Sequence, residues 1–222
     1  MIKKVYLWFH RRVTKVEEKG QPSAGVWHNR IREETMRICE DYKGRFLEVG
    51  CGEGLFIAQL AAFDSQLEIT GVDNNIEKLS DAEEKCEAEQ CKNVRIVHAD
   101  ATKLPFESEY FCNIVCINVL LNLESMNLAN NILAEISRVC KKGGRLIFDF
   151  RNSLNLLLRL KYKLAPYYDI TVKEQKLPLN TYGLKQIERL LDELGLKIIN
   201  RIYLGFPYNK FAPIVIIEAE KC

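Results

Sequence analysis

A run of glycines and two aspartates are the residues in this sequence whose types and spacing can do chemistry. Gly50, Gly52 and Gly54 stand at alternate positions in "LEVGCGEG", just behind the acid Glu48. Glycine gives up more backbone freedom on folding than any other residue, so a loop this rich in it marks main chain that must approach a partner closely. Asp73 closes the run "LEITGVD" and Asp100 closes "VRIVHAD". A strand, a glycine turn and the start of a helix bring backbone N–H groups and a positive helix end to one corner. In a parallel sheet, acids at the carboxyl ends of the next strands face that same corner. It suits a nucleotide or nucleoside, with Asp73 at about the separation expected of a carboxylate gripping ribose hydroxyls. A dinucleotide fingerprint would need glycine where Leu55 stands, and no Gly-Lys-Ser/Thr ending marks a P-loop.

The elements that must position these residues alternate along the chain. "RFLEVG" reads as a strand, "LFIAQLAAF" as a helix directly behind the glycines, and "LEITGVD" as a second strand. A polar helix follows from Asn75 to about Gln90, then strand three in "VRIVHAD" and a continuously apolar strand four in "YFCNIVCINVL". A helix is expected from Glu124 to Cys140, closed by "KKGG" with glycine as its C-cap, before strand five in "RLIFDF". Strands alternating with helices imply a parallel sheet covered on both faces. The last quarter breaks the pattern. A helix from Thr181 to Gly195 leads to "LKIINRIYLG" and "APIVIIEAE", joined only by "FPYNKF". That link is too short for a crossover, so these two strands are antiparallel neighbours. Ahead of strand one, residues 2–19 and Trp27 to Asp41 have helical spacing.

"LEVGCGEG", "GVDNN", "HADATKLPF" and "KKGGRLIFDF", in this order and spacing, resemble the class I S-adenosylmethionine-dependent methyltransferases over roughly Phe46 to Phe150, and the terminal hairpin extends the resemblance. It implies a doubly wound, mostly parallel seven-stranded α/β sheet with a C-terminal antiparallel hairpin, and S-adenosylmethionine as cofactor. Position by position, it implies Glu48 near the methionine amino group and the main chain of Gly50, Cys51 and Gly52 against the methionine part. Asp73 matches the ribose acid, with Asn74 beside the adenosine; Asp100 and Ala101 match the adenine contacts; Asn118 sits where backbone carbonyls meet the methionine ammonium. The expected organisation is one methyltransferase domain: a helical cap over 1–44, a cofactor half over 45–150, an acceptor-side lid over 151–180, and a closing helix and hairpin over 181–222.

The chain also departs from the family. Cys112 replaces an acid entering strand four, and Leu121-Asn122 stands where many small-molecule members carry a histidine pair. His28, Asn122, Asp149 and the Tyr167–Tyr168 pair lie near the expected acceptor pocket, and none is assigned as a base. Displacement from a sulfonium can run on orientation alone.

Each signal has an ordinary reading beside the functional one. Glu48 can cap a helix or pair with an arginine, Asp73 can be an N-cap, and Asp100 can bond its own backbone. His98 reads as a satisfied core or edge residue. His28 and Arg30, beside Trp27, either fold over the cofactor or belong to a packing helix. Segment 151–180 interleaves Arg151, Arg159, Lys161 and Lys163 with leucines and tyrosines. It reads as a cationic lid, as an amphipathic surface touching a membrane or lipid acceptor, or as a solvated face.

Bulk composition narrows the partners. With 222 residues, 47% hydrophobic content and a net charge of only +2, nothing demands a nucleic-acid partner. No N-P-P-aromatic tetrad follows strand four, where "INVL" stands. A small-molecule acceptor is expected; a non-catalytic cofactor-binding sensor, or an enzyme acting on RNA, protein or a lipid-like acceptor, is the alternative. The eight cysteines form no C-x-x-C pair and have no histidine nearby, so buried thiols rather than a metal set are expected. Val5 to Phe9 is too short an apolar stretch for a signal peptide or a span, which points to the cytoplasm.

Overall fold

The computed structural model describes residues 26–168, 172–173 and 178–222. The helix expected over 2–19 lies outside them. Helix α1 (Val26–Cys39) precedes β1 (Arg45–Val49), α2 (Leu55–Phe63), β2 (Glu68–Asp73), α3 (Ile76–Ala88) and β3 (Val94–His98). Then come β4 (Phe111–Cys116), a 3-10 turn (Leu120–Asn122), α4 (Met126–Val139), β5 (Cys140–Arg151), α5 (Leu156–Tyr168), α6 (Leu184–Glu193), β6 (Leu196–Leu204) and β7 (Ile214–Lys221). The seven strands form one sheet in the order β3-β2-β1-β4-β5-β7-β6. The first five run parallel, while β7 is antiparallel to both β5 and β6. The short "FPYNKF" link therefore does what its length requires.

Strand alternation assigns the two faces. Leu47, Val49, Phe148 and Phe150 join α4 and α6 in one core, through Leu133, Ile136, Ile187 and Leu191. Phe46, Val115, Ile147 and Ile216 join α1, α2 and α3 in the other, through Ile31, Phe56, Ile57 and Leu79. By the same alternation Glu48, Asp149 and Arg151 project toward the α1 side, and all three are buried. The strand order also puts β1 inside the sheet, between β2 and β4, where the topology reverses. Such a switch point opens a crevice beyond the strand ends.

Two local expectations are corrected. Helix α4 starts at Met126, with Ser125 accepting from the Leu128 N–H, and ends at Val139. The "KKGG" run is not its C-cap but the first part of β5, paired to β4 through Phe111↔Cys140 with a register shift before Asn113↔Arg145. A Cβ on Gly144 would sit 2.9 Å from the Cys112 carbonyl, so these glycines serve a bulged strand start. Helix α6 begins at Leu184 rather than Thr181, because Tyr182 is drawn into a parallel bridge with Asn152. All eight cysteines are free thiols, and five are buried.

The loop after β1 meets its neighbours almost without clearance. Gly50 has φ +77°, and a Cβ there would lie 2.3 Å from Val119 Cγ2. Gly50→Ala therefore combines left-handed strain of about 1–2 kcal/mol with overpacking of about 1–3 kcal/mol. Gly143 has φ +69° but open space around it. Denaturant melts are expected to show Gly143→Ala losing only the strain, and Gly50→Ala losing at least twice as much. Adding Val119→Ala is expected to return part of the Gly50→Ala loss and none of the Gly143→Ala loss.

Candidate functional site

The loop 50–54 is held by strand β2. The N–H groups of Gly50 and Cys51 both donate to the Val72 carbonyl, at 2.8 and 2.9 Å. The Gly52 N–H donates to Asp73 Oδ2 at 2.9 Å, while the other carboxylate oxygen of Asp73 accepts from the Asn75 N–H at 2.9 Å. Asp73 is thus not the N-cap of α3. That position belongs to Asn75, whose side chain accepts from the Lys78 N–H. The three glycines divide their work. Gly50 makes room for Val119, and Gly54 lets α2 start against Ala82 of α3; near Gly52 a Cβ would meet nothing closer than Lys78 Cδ at 3.8 Å. The middle of the loop is where main chain is left open to an incoming group.

The other expected residues gather at the same ends of the strands. Asn74 is exposed beside Asp73, and its carbonyl lies 3.2 Å from His98 Nε2, which leaves His98 a satisfied residue of the edge strand. Ala99 N–H donates to the Asp73 carbonyl, so Asp100 and Ala101 begin next to the tip of β2. Asp100 is exposed, and its Oδ1 accepts from both the N–H and the hydroxyl of Thr102. Those bonds hold its carboxyl below the usual carboxylate range, the backbone one most strongly. Asn118 closes β4 with φ +59°; its N–H donates to Asp149 Oδ1, and Val119 beside it packs on Gly50. The two aspartates and the glycine loop therefore share one corner.

Glu48 lies beneath that corner, 3% exposed, and its Oε2 is buried without a hydrogen-bond partner. Burial pushes its carboxyl well up, Asp73 adds to the shift, and Arg32 and the Ile57 N–H oppose it. A buried acceptor with no donor fits a group that brings its own donors, such as an ammonium.

A second cluster faces Glu48 from α1 and β5. Arg151 Nη1 pairs with Asp149 Oδ2 at 2.5 Å, both nearly inaccessible, and Arg151 Nε donates to the Tyr162 hydroxyl at 3.2 Å. Asp149 is therefore committed to an ion pair, its carboxyl raised by burial and pulled back by Arg151. His28 has a buried Nδ1 with no partner. Burial, then Arg151, Arg32 and Lys78, bring its imidazole down to about 3, so it is neutral in ordinary buffers. Arg30 points elsewhere: it is exposed, with its guanidinium 5.9 Å from the Trp27 ring. Of the remaining base candidates, Asn122 is exposed and Tyr167 projects into solvent. Sequence reasoning missed Arg32, and it placed Tyr162 among the aromatics of the lid segment without its contact to Arg151. The visible signal was Asp149 and Arg151 two apart on one strand, hence on one face.

Among the described residues no group of three or more histidines, cysteines or acids is placed to hold a metal ion. A cavity of about 700 Å³ lined by Tyr42, Lys43, Cys112, Lys142 and Arg145 opens at the opposite ends of the parallel strands and shares no residue with this corner.

The Glu48 shift has a definite sign. The folded protein keeps a proton that the unfolded chain releases above about 4.5, so this group's stability contribution is present below that value and is lost as pH rises. Glu48→Gln cannot ionise. Its melting temperature is expected to exceed that of the unsubstituted protein by a margin that widens as pH rises above about 5. Parallel thermal melts across that range check it.

A family model described as a methyltransferase domain matches residues 46–144. The demethylmenaquinone methyltransferase of Bacillus cereus (strain B4264) is 29% identical over 188 residues, 77% of this chain and 77% of that protein. A protein of the same name from Bacillus anthracis (strain A0248) is 34% identical over 122 residues, 54% of this chain and 50% of that protein. Among solved structures, the magnesium protoporphyrin IX methyltransferase of Synechocystis PCC 6803, with bound SAH, has a TM-score of 0.71 at 15% identity and covers 100% of this chain and 96% of its own. The PH0226 protein of Pyrococcus horikoshii OT3 has a TM-score of 0.69 at 21% identity, covering 94% and 99%. These structural likenesses establish the Rossmann-like methyltransferase fold. The matched domain over residues 46–144 and the named methyltransferase relatives support S-adenosylmethionine-dependent methyltransferase activity, with S-adenosylmethionine as the cofactor.

Proposed function

We propose that the chain methylates a small-molecule acceptor, with Glu48, Gly50, Cys51, Gly52, Asp73, Asn74, Asp100, Ala101 and Asn118 holding the cofactor. The observation that carries this reading is the Gly52 N–H bond to Asp73 Oδ2, set above the partnerless Oε2 of Glu48. S-Adenosylmethionine supplies a methyl group on a sulfonium, a leaving group good enough that the protein's work is placement and exclusion of water.

The chain's own residues divide that work. Each Asp73 oxygen is pinned by one backbone N–H, so the carboxylate is oriented before ribose hydroxyls reach it. Glu48 offers its unused oxygen to the methionine ammonium, and the Asn118 carbonyl faces the same group. The Gly50–Gly52 main chain lies against the methionine part, with no side chain at Gly52 to intervene. Asp100, oriented by Thr102, accepts from the adenine amino group beside Ala101, and Asn74 flanks the adenosine. Helix α1 covers the corner through His28 and Arg32. No base is assigned; position carries the step.

The acceptor is read as small because the relatives are named for demethylmenaquinone, the first compound to assay, and because a net charge of +2 gives no footprint for nucleic acid. Asp73→Ala is expected to raise the dissociation constant for S-adenosylmethionine at least tenfold, measured by calorimetry; an unchanged constant overturns the ribose assignment. S-Adenosylhomocysteine at 100 times its dissociation constant is expected to stabilise the protein by about 2.7 kcal/mol, and NAD to leave the melting temperature where it was. Stabilisation by NAD instead overturns the reading of the corner.

A further inference from the structure

Helix α5 is apolar on the wrong side for a helix that only closes a core. At about 100° per residue, Leu158, Tyr162 and Ala165 fall on one strip, and these are the side chains that turn inward. Tyr162 meets Arg151 there. The opposite strip holds Leu156, Leu157, Leu160, Leu164 and Tyr167, all exposed, with Leu157 at 78% and Tyr167 at 86%. Arg159 and Lys163 border this strip on one side and Lys161 on the other. The helix carries no acid.

The β6–β7 loop extends the same face. Asn155, just ahead of α5, donates through Nδ2 to the Phe211 carbonyl at 2.8 Å, and Asn152 donates to the Lys210 carbonyl at 2.9 Å. The loop therefore sits beside the start of the helix. It presents Phe206, 81% exposed, with Tyr208 and Phe211, and Lys210 lies 5.3 Å over the Phe211 ring. Isolated exposed apolar residues are ordinary, but a contiguous set of this size on a soluble face is not.

We propose that this face, formed by α5 and the β6–β7 loop, docks the enzyme on an anionic lipid bilayer. The chemistry of the face selects that occupant. The apolar tips protrude rather than line a groove, so they can enter the acyl boundary. Basic side chains on both flanks of the helix, with aliphatic stems beside the leucines, can keep their charged ends at headgroup level. Three cations without an acid on the helix, with Lys210 on the neighbouring loop, complement an anionic surface on a protein whose overall charge is only +2. The docking is independent of which acceptor is methylated. It places the β5 end of the cofactor corner, through Tyr162 and Arg151, on the membrane-facing side of the molecule.

The test is co-sedimentation of the full chain with phosphatidylglycerol/phosphatidylcholine vesicles and with phosphatidylcholine vesicles alone. Binding to the anionic vesicles is expected, weakened by high salt and at least fivefold weaker with phosphatidylcholine. Leu157→Glu combined with Leu160→Glu is expected to lower the anionic-vesicle affinity at least tenfold, and Arg159→Gln with Lys163→Gln to reduce the preference for anionic lipid. Because these side chains are exposed, both variants keep their melting temperature and its rise with S-adenosylhomocysteine. No sedimentation, or a leucine variant that sediments like the unsubstituted protein, overturns the proposal. So does size-exclusion showing a dimer that the leucine variant dissolves while vesicles capture neither protein; the face would then pair with a second copy.

Discussion

Asp73 holds two backbone N–H groups at once, Gly52 through one oxygen and Asn75 through the other. That carboxylate ties together three elements: the loop after β1, the end of β2 and the first turn of α3. Hydrogen bonds to an ionised acceptor are about twice as strong as neutral ones, so the loop's open segment is fixed in place before anything binds. Methyl transfer places its main demand on position, and a misplacement of about 1 Å in such a reaction can cost a hundredfold in rate. The rest of the corner is arranged around this tie. Val72 receives the next two loop N–H groups, Ala99 donates to the Asp73 carbonyl, and Val119 closes over Gly50.

The α1 side of the sheet shows the opposite physics. Glu48, Asp149, Arg151, Arg32 and Asn29 are buried there among apolar neighbours. Taking charges out of water costs several kcal/mol per ion even after relaxation, and the fold recovers part of it through the Asp149–Arg151 pair, the Asn118 N–H and the hydrogen bond from Arg32 to Asn29. The unrecovered part is visible in the partnerless atoms of Glu48, His28 and Thr35. Buried polar atoms without partners are a stability deficit that a bound group bringing its own donors can relieve.

Much of this arrangement was legible in the residues. Asp73 and Asp100 could be put at strand ends because apolar runs stop at them, and the hairpin followed from a link too short for a crossover. What escaped depended on partners distant in sequence. A glycine that ends a helix and a glycine that admits a bulge look alike locally, and only the pairing of β4 with β5 makes "KKGG" the second. The start of α6 moved to Leu184 because Tyr182 bridges to Asn152, a contact with no local signal. The two oxygens of Asp73 could be assigned to ribose by resemblance, but not to Gly52 and Asn75, since that needs β1 and β2 side by side. The His28–Arg32–Arg151–Tyr162 cluster assembles residues from α1, β5 and α5, and only the Asp149–Arg151 alternation hinted at it.

Strand β7 lies inside the sheet, with β5 on one side and β6 on the other. It is last in chain order, so during synthesis the β5 edge stays uncovered and β6 has no neighbour until residues 214–221 leave the ribosome. The five parallel strands and the glycine corner can assemble earlier, leaving a nascent intermediate with one sticky border. The apolar run "IVIIEA" is the patch for that border, so between emergence of β5 and emergence of β7 the open edge can pair with a foreign strand.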